Sequence, residues 1–220
     1  MYDGILFDQD GVLLDLDIKD FKWMDEVRVR EARRRGFDFD LNDAQKLVEA
    51  RSSSEVEKLI REKNMTWQDL QRIEKVKERK KTQKMENGEI KLFEGARKTI
   101  SDLSIPVAIV TNASQLSTNF MVSYFGLQES IDEVKGLNTD NMKEFFDRKK
   151  PETIMIEEVK ESLNLKNPII VGDSNSDIKA ANDAEIDSIH VKSHWNIDEN
   201  PTYSVKKIKE IKEIKEIICR

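Results

Sequence analysis

Cysteine is almost absent from this 220-residue sequence, histidine occurs only twice, and no apolar run is long. Each shortage excludes something. The single Cys219 has no partner for an internal disulfide, which suits a reducing compartment. His190 and His194 lack metal-site company and read as structural or exposed residues. No uninterrupted apolar stretch approaches the roughly 20 residues of a membrane span. The N-terminus has no basic region followed by an apolar segment, so no signal peptide is expected. An excess of positive charge is missing too. The formal net charge of −6 argues against general nucleic-acid binding, which needs a basic face. A soluble, cytoplasmic protein is expected, as a monomer or homodimer.

Hydrophobic residues make up 38% of the chain and charged residues 36%, a balance that suits small elements with broad solvated faces. The length allows a sizeable core, as one domain or as a core with an insert. The first chemistry-bearing stretch comes at once. Ile5, Leu6 and Phe7 form a short apolar run that reads as a buried strand. It ends in Asp8 and Asp10, and Gly11 lets the backbone turn. Open α/β sheets bind ligands at the carboxyl ends of their strands, so two carboxylates there are placed for chemistry. An ordinary strand followed by an Asp-Gly turn would look the same.

From about Leu16 to Gly88 only helical periodicity is visible. Phe21, Met24, Val27 and Ala32 share a face of a first helix that stops at Arg33-Arg34-Arg35-Gly36. Leu41, Ala44, Leu47 and Val48 mark a second helix. Ser54-Glu55-Val56-Glu57 has capping-box spacing for a third, and Thr66 starts a fourth that runs to Asn87-Gly88. The basic run Lys75–Lys84 on it reads as a solvated face. Strands and helices then alternate. Strands are expected at 105–110, 131–134, 169–171 and 186–191, and helices at 95–103, 114–125, 153–163 and 177–184. The segment Leu137–Arg148 reads as extended and hydrophilic. Val205, Ile208, Ile211, Ile214 and Ile217 predict a docked terminal helix. Such alternation argues for an α/β fold of parallel βαβ units, with helices on both faces of the sheet.

Three further motifs close strands or their loops: Thr111 after Ile109-Val110, Lys150 before Pro151, and Gly172-Asp173-Ser174-Asn175-Ser176-Asp177 after Ile169-Ile170-Val171. With Asp8-Gln9-Asp10-Gly11-Val12, this set and its order resemble the four motifs of the haloacid dehalogenase-like hydrolase superfamily, in its phosphatase and β-phosphoglucomutase-like branch. The resemblance implies a Rossmann-like three-layer α/β/α core over residues 1–15 and 89–220, with an α-helical cap over residues 16–88. Lys149 adjoins Lys150, but only the second precedes proline as in the family pattern.

The resemblance also implies roles. Asp8 would attack phosphorus and form an aspartyl-phosphate. Asp10 would protonate the leaving oxygen and later act as base on water. Two carboxylates and an anionic substrate need a compensating hard cation, and Mg²⁺ suits oxygen ligands best. Its ligands would be Asp8, Asp173 and the backbone carbonyl of Asp10, with Asp177 supporting the ligand shell or the lysine. Thr111 and Asn112 would hold the transferring phosphoryl group, and Lys150 would neutralise its charge. Arg51 could bind a distal anionic group on the substrate or be a surface arginine at a helix end.

The leading expectation is a Mg²⁺-dependent phosphatase of a small phosphorylated metabolite. A β-phosphoglucomutase-like phosphotransferase would use the same motifs. A non-catalytic binding module that keeps the fold is the alternative from a different class.

Overall fold

The strand Gly4–Phe7 (β1) lies at the centre of the sheet in the computed structural model, which describes residues 1–16, 18–192 and 197–211, without the side chains of 18–21. The expectations for the Phe21 side chain and for His194, Ile214, Ile217 and Cys219 lie outside the described residues. β1 pairs in parallel with β2 (Val107–Ser114) on one side and β4 (Pro168–Gly172) on the other. With β3 (Glu133–Leu137), β5 (Asp187–Val191) and β6 (Tyr203–Val205), the order is β3-β2-β1-β4-β5-β6, all pairs parallel. A central parallel strand is covered on both faces, which is why β1 is a continuous apolar run rather than an alternating one.

Successive residues still point to opposite faces. Ile5 and Phe7 join one cluster with Ile109, Val171, Ile100 and Met121, whereas Leu6 joins another with Ala108, Val110, Ile170, Met155 and Val159. The helices α5 (Ala96–Ser101) and α6 (Gln115–Tyr124) supply the first layer. α8 (Ile154–Ser162) and α9 (Asn175–Asp183) supply the second. The architecture is a three-layer α/β/α, Rossmann-like fold.

Four helices separate β1 from the rest of the sheet: α1 (Ile18–Arg34), α2 (Leu41–Glu49), α3 (Ser53–Glu62) and α4 (Trp67–Glu86). Capping boxes start two of them, Asp40 with Asp43 for α2 and Thr66 with Asp69 for α4. The third helix begins earlier than its sequence signature suggests. Ser52, not Ser54, is the N-cap and accepts from the Glu55 N–H, while the Glu55 carboxylate accepts from the Arg51 N–H at 3.0 Å. Among the described residues, no helix is long and apolar enough to cross a membrane.

Two other expectations are corrected. The segment Leu137–Arg148 is not extended: Met142–Arg148 forms α7, which buries Met142, Phe145 and Phe146 and packs against α3 and α4. Its apolar residues sit at i, i+3 and i+4, one helical face, but seven residues were too few to show a period. Val205 is in a strand rather than a helix. The open edge of β5 takes it as a partner, and Ile208–Glu210 follow as a 3-10 turn. Val205, Ile208 and Ile211 are buried all the same.

If α7 is part of the packed interior, Phe146→Ala, at a site 3% exposed, should cost about 3–5 kcal/mol. Leu116→Ala, at a site 68% exposed, should stay within about 0.5 kcal/mol of wild type. Denaturant unfolding of both variants measures this, and equal midpoints would return residues 142–148 to a surface loop.

Candidate active site

The register of the sheet brings distant residues together. Phe7 lies opposite both Ile109 and Val171, so Asp8, Thr111 and Asp173 come together along one carboxyl edge. β1 and β4 end there, whereas β2 does not stop before Thr111 as expected but runs on to Ser114, which pairs with Leu137 of β3. Lys150, just after α7, reaches this edge from outside the sheet. Its buried ammonium donates to Asp8 Oδ1 at 2.7 Å and to the Val110 carbonyl at 2.7 Å, and pairs with Asp177 Oδ1 at 2.5 Å. Two hydrogen bonds and one ion pair thus surround the ammonium. Burial works against its charge, but Asp177 and Asp8 outweigh that and hold the ammonium above its ordinary range.

The Asp8 and Asp173 carboxyls are raised as well, which for an acid favours the neutral form. Burial pushes Asp8 up to about 6; Lys150 pulls it down, while the charges of Asp177 and Asp10 add to the rise. Asp173 is driven to about 9 by burial, then by the charges of Asp177 and Asp8. Carboxylate oxygens of Asp8, Asp173 and Asp177 lie within 4.8 Å of one another. An all-oxygen donor set of crowded, desolvated carboxylates fits a hard divalent cation. The backbone is shaped around it. Gly11 has φ +80°, and a Cβ there would sit 2.1 Å from Asp173 Oδ2. A Cβ at Gly172 would sit 2.1 Å from that of Asp177. Asp177 also closes the capping box of α9, accepting from the Ser174 N–H at 3.1 Å and hydroxyl at 2.6 Å, so one carboxylate starts the helix and holds the lysine.

Thr111 is buried within β2, and its Oγ1 accepts from the Ala113 N–H at 3.2 Å. The Asn112 side chain makes a reciprocal pair with the Lys150 backbone. Its Nδ2 donates to the Lys150 carbonyl at 3.1 Å, and its Oδ1 accepts from the Lys150 N–H at 2.7 Å. Spacing offered no sign of that pairing, because the two residues meet only through the fold.

The largest correction concerns α4. Its basic run is not a solvated face: Lys77 and Lys81 are buried. Lys81 Nζ donates to both oxygens of Asp10, at 2.7 and 2.6 Å, and Gln9 Nε2 adds a third donor at 3.0 Å. Lys77 lies between Glu74 (2.8 Å) and Glu78 (2.7 Å). Glu74 also takes Arg28 of α1 at 2.6 Å, and Glu78 accepts from the Ser114 hydroxyl at 2.9 Å. Burial would raise both glutamates, but Arg28 and Lys77 bring Glu74 to about 2, and Lys77 and Lys81 bring Glu78 to about 2. The signal was in the sequence: continuing the Leu70–Ile73 stripe at helical spacing lands on Lys77, Lys81 and Met85.

Asp8, Asp10, Thr111, Asn112, Lys150 and Asp173 line one cavity of about 820 Å³, whose far wall is formed by α1, α2 and α4. Arg51, exposed in the turn between α2 and α3, lines it as well, as does Asp177. The site residues named from sequence thus share a single cavity.

The sequence profile described as haloacid dehalogenase-like hydrolase matches residues 5–191. No curated protein matches the sequence significantly. Among solved structures, CbbY from Rhodobacter sphaeroides in complex with phosphate is similar at 18% identity and a TM-score of 0.73, covering 96% of each chain. A mutant of CbbY in complex with xylulose-(1,5)bisphosphate has the same values. A HAD-superfamily hydrolase, subfamily IA, variant 1 from Geobacter sulfurreducens is 17% identical with a TM-score of 0.61, covering 97% of this chain and 100% of that one.

The raised Asp173 has a consequence for stability. From pH 7 to 8 the metal-free folded chain keeps a proton there that the unfolded chain, with an ordinary carboxyl, has released. Stability that is full below about pH 4 is therefore lost as pH rises toward 9. In EDTA the loss should be roughly 1 kcal/mol over this pH unit, because the lowered His190 and Lys149 oppose it only weakly. A saturating divalent cation should abolish the slope. Denaturation midpoints that rise with pH in EDTA would contradict the assignment.

Proposed function

The chain belongs to the haloacid dehalogenase-like hydrolase family, and we propose that it is a Mg²⁺-dependent phosphatase of a small phosphorylated metabolite, working through an aspartyl-phosphate. The observation that carries this reading is the buried Lys150–Asp8 pair at 2.7 Å, with Asp10 two residues on and all three facing one cavity. A cavity of that size takes a small molecule rather than a protein segment.

Phosphoryl transfer asks for a nucleophile, a proton donor and positive charge. Asp8 is the nucleophile, because its Oδ1 is held by Lys150 while the carboxylate faces the cavity. Asp10 supplies the proton to the leaving oxygen, then receives one from the water that hydrolyses the intermediate. The Lys81 ammonium and Gln9 amide orient Asp10, so the acid–base group is positioned from α4. Lys150 offsets the negative charge gathering at the phosphoryl oxygens, Thr111 and the Asn112 N–H hold that group, and Asp177 keeps the lysine in place. Asp8, Asp173 and the Asp10 carbonyl would hold Mg²⁺, which supplies positive charge against the anionic substrate.

Helices α1–α4 act as a cap over the site, residues 16–88, on a core of residues 1–15 and 89–220. Ion pairs and hydrogen bonds cross between the two, including Lys81 to Asp10 and Lys75 to Asp140 at 2.5 Å. Closure of such a cap excludes bulk water from the reacting group.

Hydrolysis of p-nitrophenyl phosphate should require Mg²⁺ and stop in excess EDTA. Asp8→Asn should abolish turnover and the phosphoenzyme. Asp10→Asn should slow the single-turnover burst on an alkyl phosphate by about 10²–10⁴-fold, but far less on p-nitrophenyl phosphate, whose leaving group departs without a proton. Equal losses on both esters would remove Asp10 from the acid role. Transfer of the phosphoryl group to a second sugar, with no free phosphate released, would make the chain a phosphotransferase instead.

A further inference from the structure

The helix α7 does not pack where its place in the chain suggests. It lies between β3 and Lys150, in the stretch that otherwise builds the core, yet its principal neighbours are α3 and α4 of the cap. Hydrogen bonds follow the same division. The Asp147 carboxylate accepts from the Ser53 N–H in the first turn of α3 at 2.7 Å, a donor that has no partner within its own helix. Gln71 Nε2 of α4 donates to the carbonyls of Thr139 and Asp140 at 2.9 and 3.0 Å, and Lys75 pairs with Asp140 at 2.5 Å. The Trp67 ring of α4 stands 6.3 Å from that of Phe146, and the Lys143 ammonium lies 5.7 Å over it. Lys149 donates to the Val48 carbonyl of α2 at 2.8 Å. Toward the core, Arg148 pairs with Glu158 of α8 at 2.6 Å.

The next residue is held from the other side. Asn112 of β2 bonds both backbone groups of Lys150, whose ammonium meets Asp8. Lys149 is thus fastened to the cap and Lys150 to the sheet, with one peptide bond between them. Consecutive Cα atoms lie about 3.8 Å apart, so there is no slack between the two attachments. Besides the two chain passages that join it to the core, the cap has a third attachment here, one residue from the reacting centre.

We propose that residues 139–149 form one unit with the cap, and that Gln71 and Asp147 are positioning residues for Lys150. Seating the cap then sets the backbone from which the lysine reaches Asp8. The kinetic consequence rests on the phosphatase reading; the packing does not. A misplacement of about 1 Å in a catalytic group can cost on the order of 10²-fold in rate, even when its cause lies far from the chemistry. Neither Gln71 nor Asp147 is among the residues that line the cavity, so replacing them alters the support of the lysine without touching the substrate.

Amide hydrogen exchange and burst kinetics test this together. In the wild type the amides of 142–148 should open in step with α3 and α4, and apart from β1 and β4. The double variant Gln71→Met/Asp147→Ala should lose protection in 142–148 while β1 and β4 keep theirs. Its single-turnover burst should fall by about ten-fold or more, with KM little changed. The fall should be the same for an alkyl phosphate and p-nitrophenyl phosphate, because Lys150 acts on the nucleophile and the phosphoryl oxygens rather than on the leaving group. Asp147→Asn keeps the acceptor oxygen and should behave as wild type. The single variants Gln71→Met and Asp147→Ala disturb folding less and are read in the same way. A chain that hydrolyses neither ester fails as a phosphatase, while exchange still judges the unit. Exchange of 142–148 in step with β1 and β4, or an unchanged burst in a variant that has lost protection there, overturns the proposal.

Discussion

One buried ammonium holds the site together. Lys150 Nζ donates to Asp8 after β1 and to the Val110 carbonyl in β2, and pairs with Asp177 in the first turn of α9. A buried ion pair is a doubtful source of stability, because desolvation cancels much of its attraction. Its geometric effect is clear, however, since leaving any partner alone in the interior would be costly. The lysine therefore fixes the end of β1, the middle of β2 and the start of α9 relative to one another. Burial first, and then the neighbouring carboxylates, Asp177 and Asp10 for Asp8 or Asp177 and Asp8 for Asp173, keep these two carboxyls raised all the same.

The same logic extends through α4. A helix interior facing a core would ordinarily be apolar, yet this one turns Glu74, Lys77, Glu78 and Lys81 inward. Each is matched: Glu74 by Arg28 and Lys77, Glu78 by Lys77 and Ser114, Lys81 by Asp10. A charged stripe of this kind can leave the core and be solvated more readily than a leucine stripe. It suits a surface that docks reversibly on a reaction site. Below it, α7 supplies the apolar contacts, with Phe145 and Phe146 packed against one another and Trp67 of α4 near Phe146.

The positions of motif residues at the ends of apolar runs were legible from the chain alone, because a buried parallel strand is a continuous apolar run. That placed Asp8, Thr111 and Asp173 toward one edge, although β2 runs on past its apolar residues to Ser114. Helix starts with a reciprocal cap, such as Thr66 with Asp69, were equally readable. Short elements were not. α7 offers too few residues for a period to emerge, and β6 exists because β5 has an open edge, a fact about the sheet and not about residues 203–205.

Charge was where local reading failed. A lysine in a helix is solvated unless something buried receives it, and the receiver of Lys81 is Asp10, seventy-one residues earlier in the chain. The sequence by itself determined the presence of strands β1 to β5, the order of the motifs and the kinds of reactive group available, since these follow from periodicity and side-chain chemistry. Only the tertiary structure decided which cations meet which carboxylates, and so which of the neighbours Lys149 and Lys150 serves Asp8. Pairing depends on distance across the fold, which no local pattern encodes.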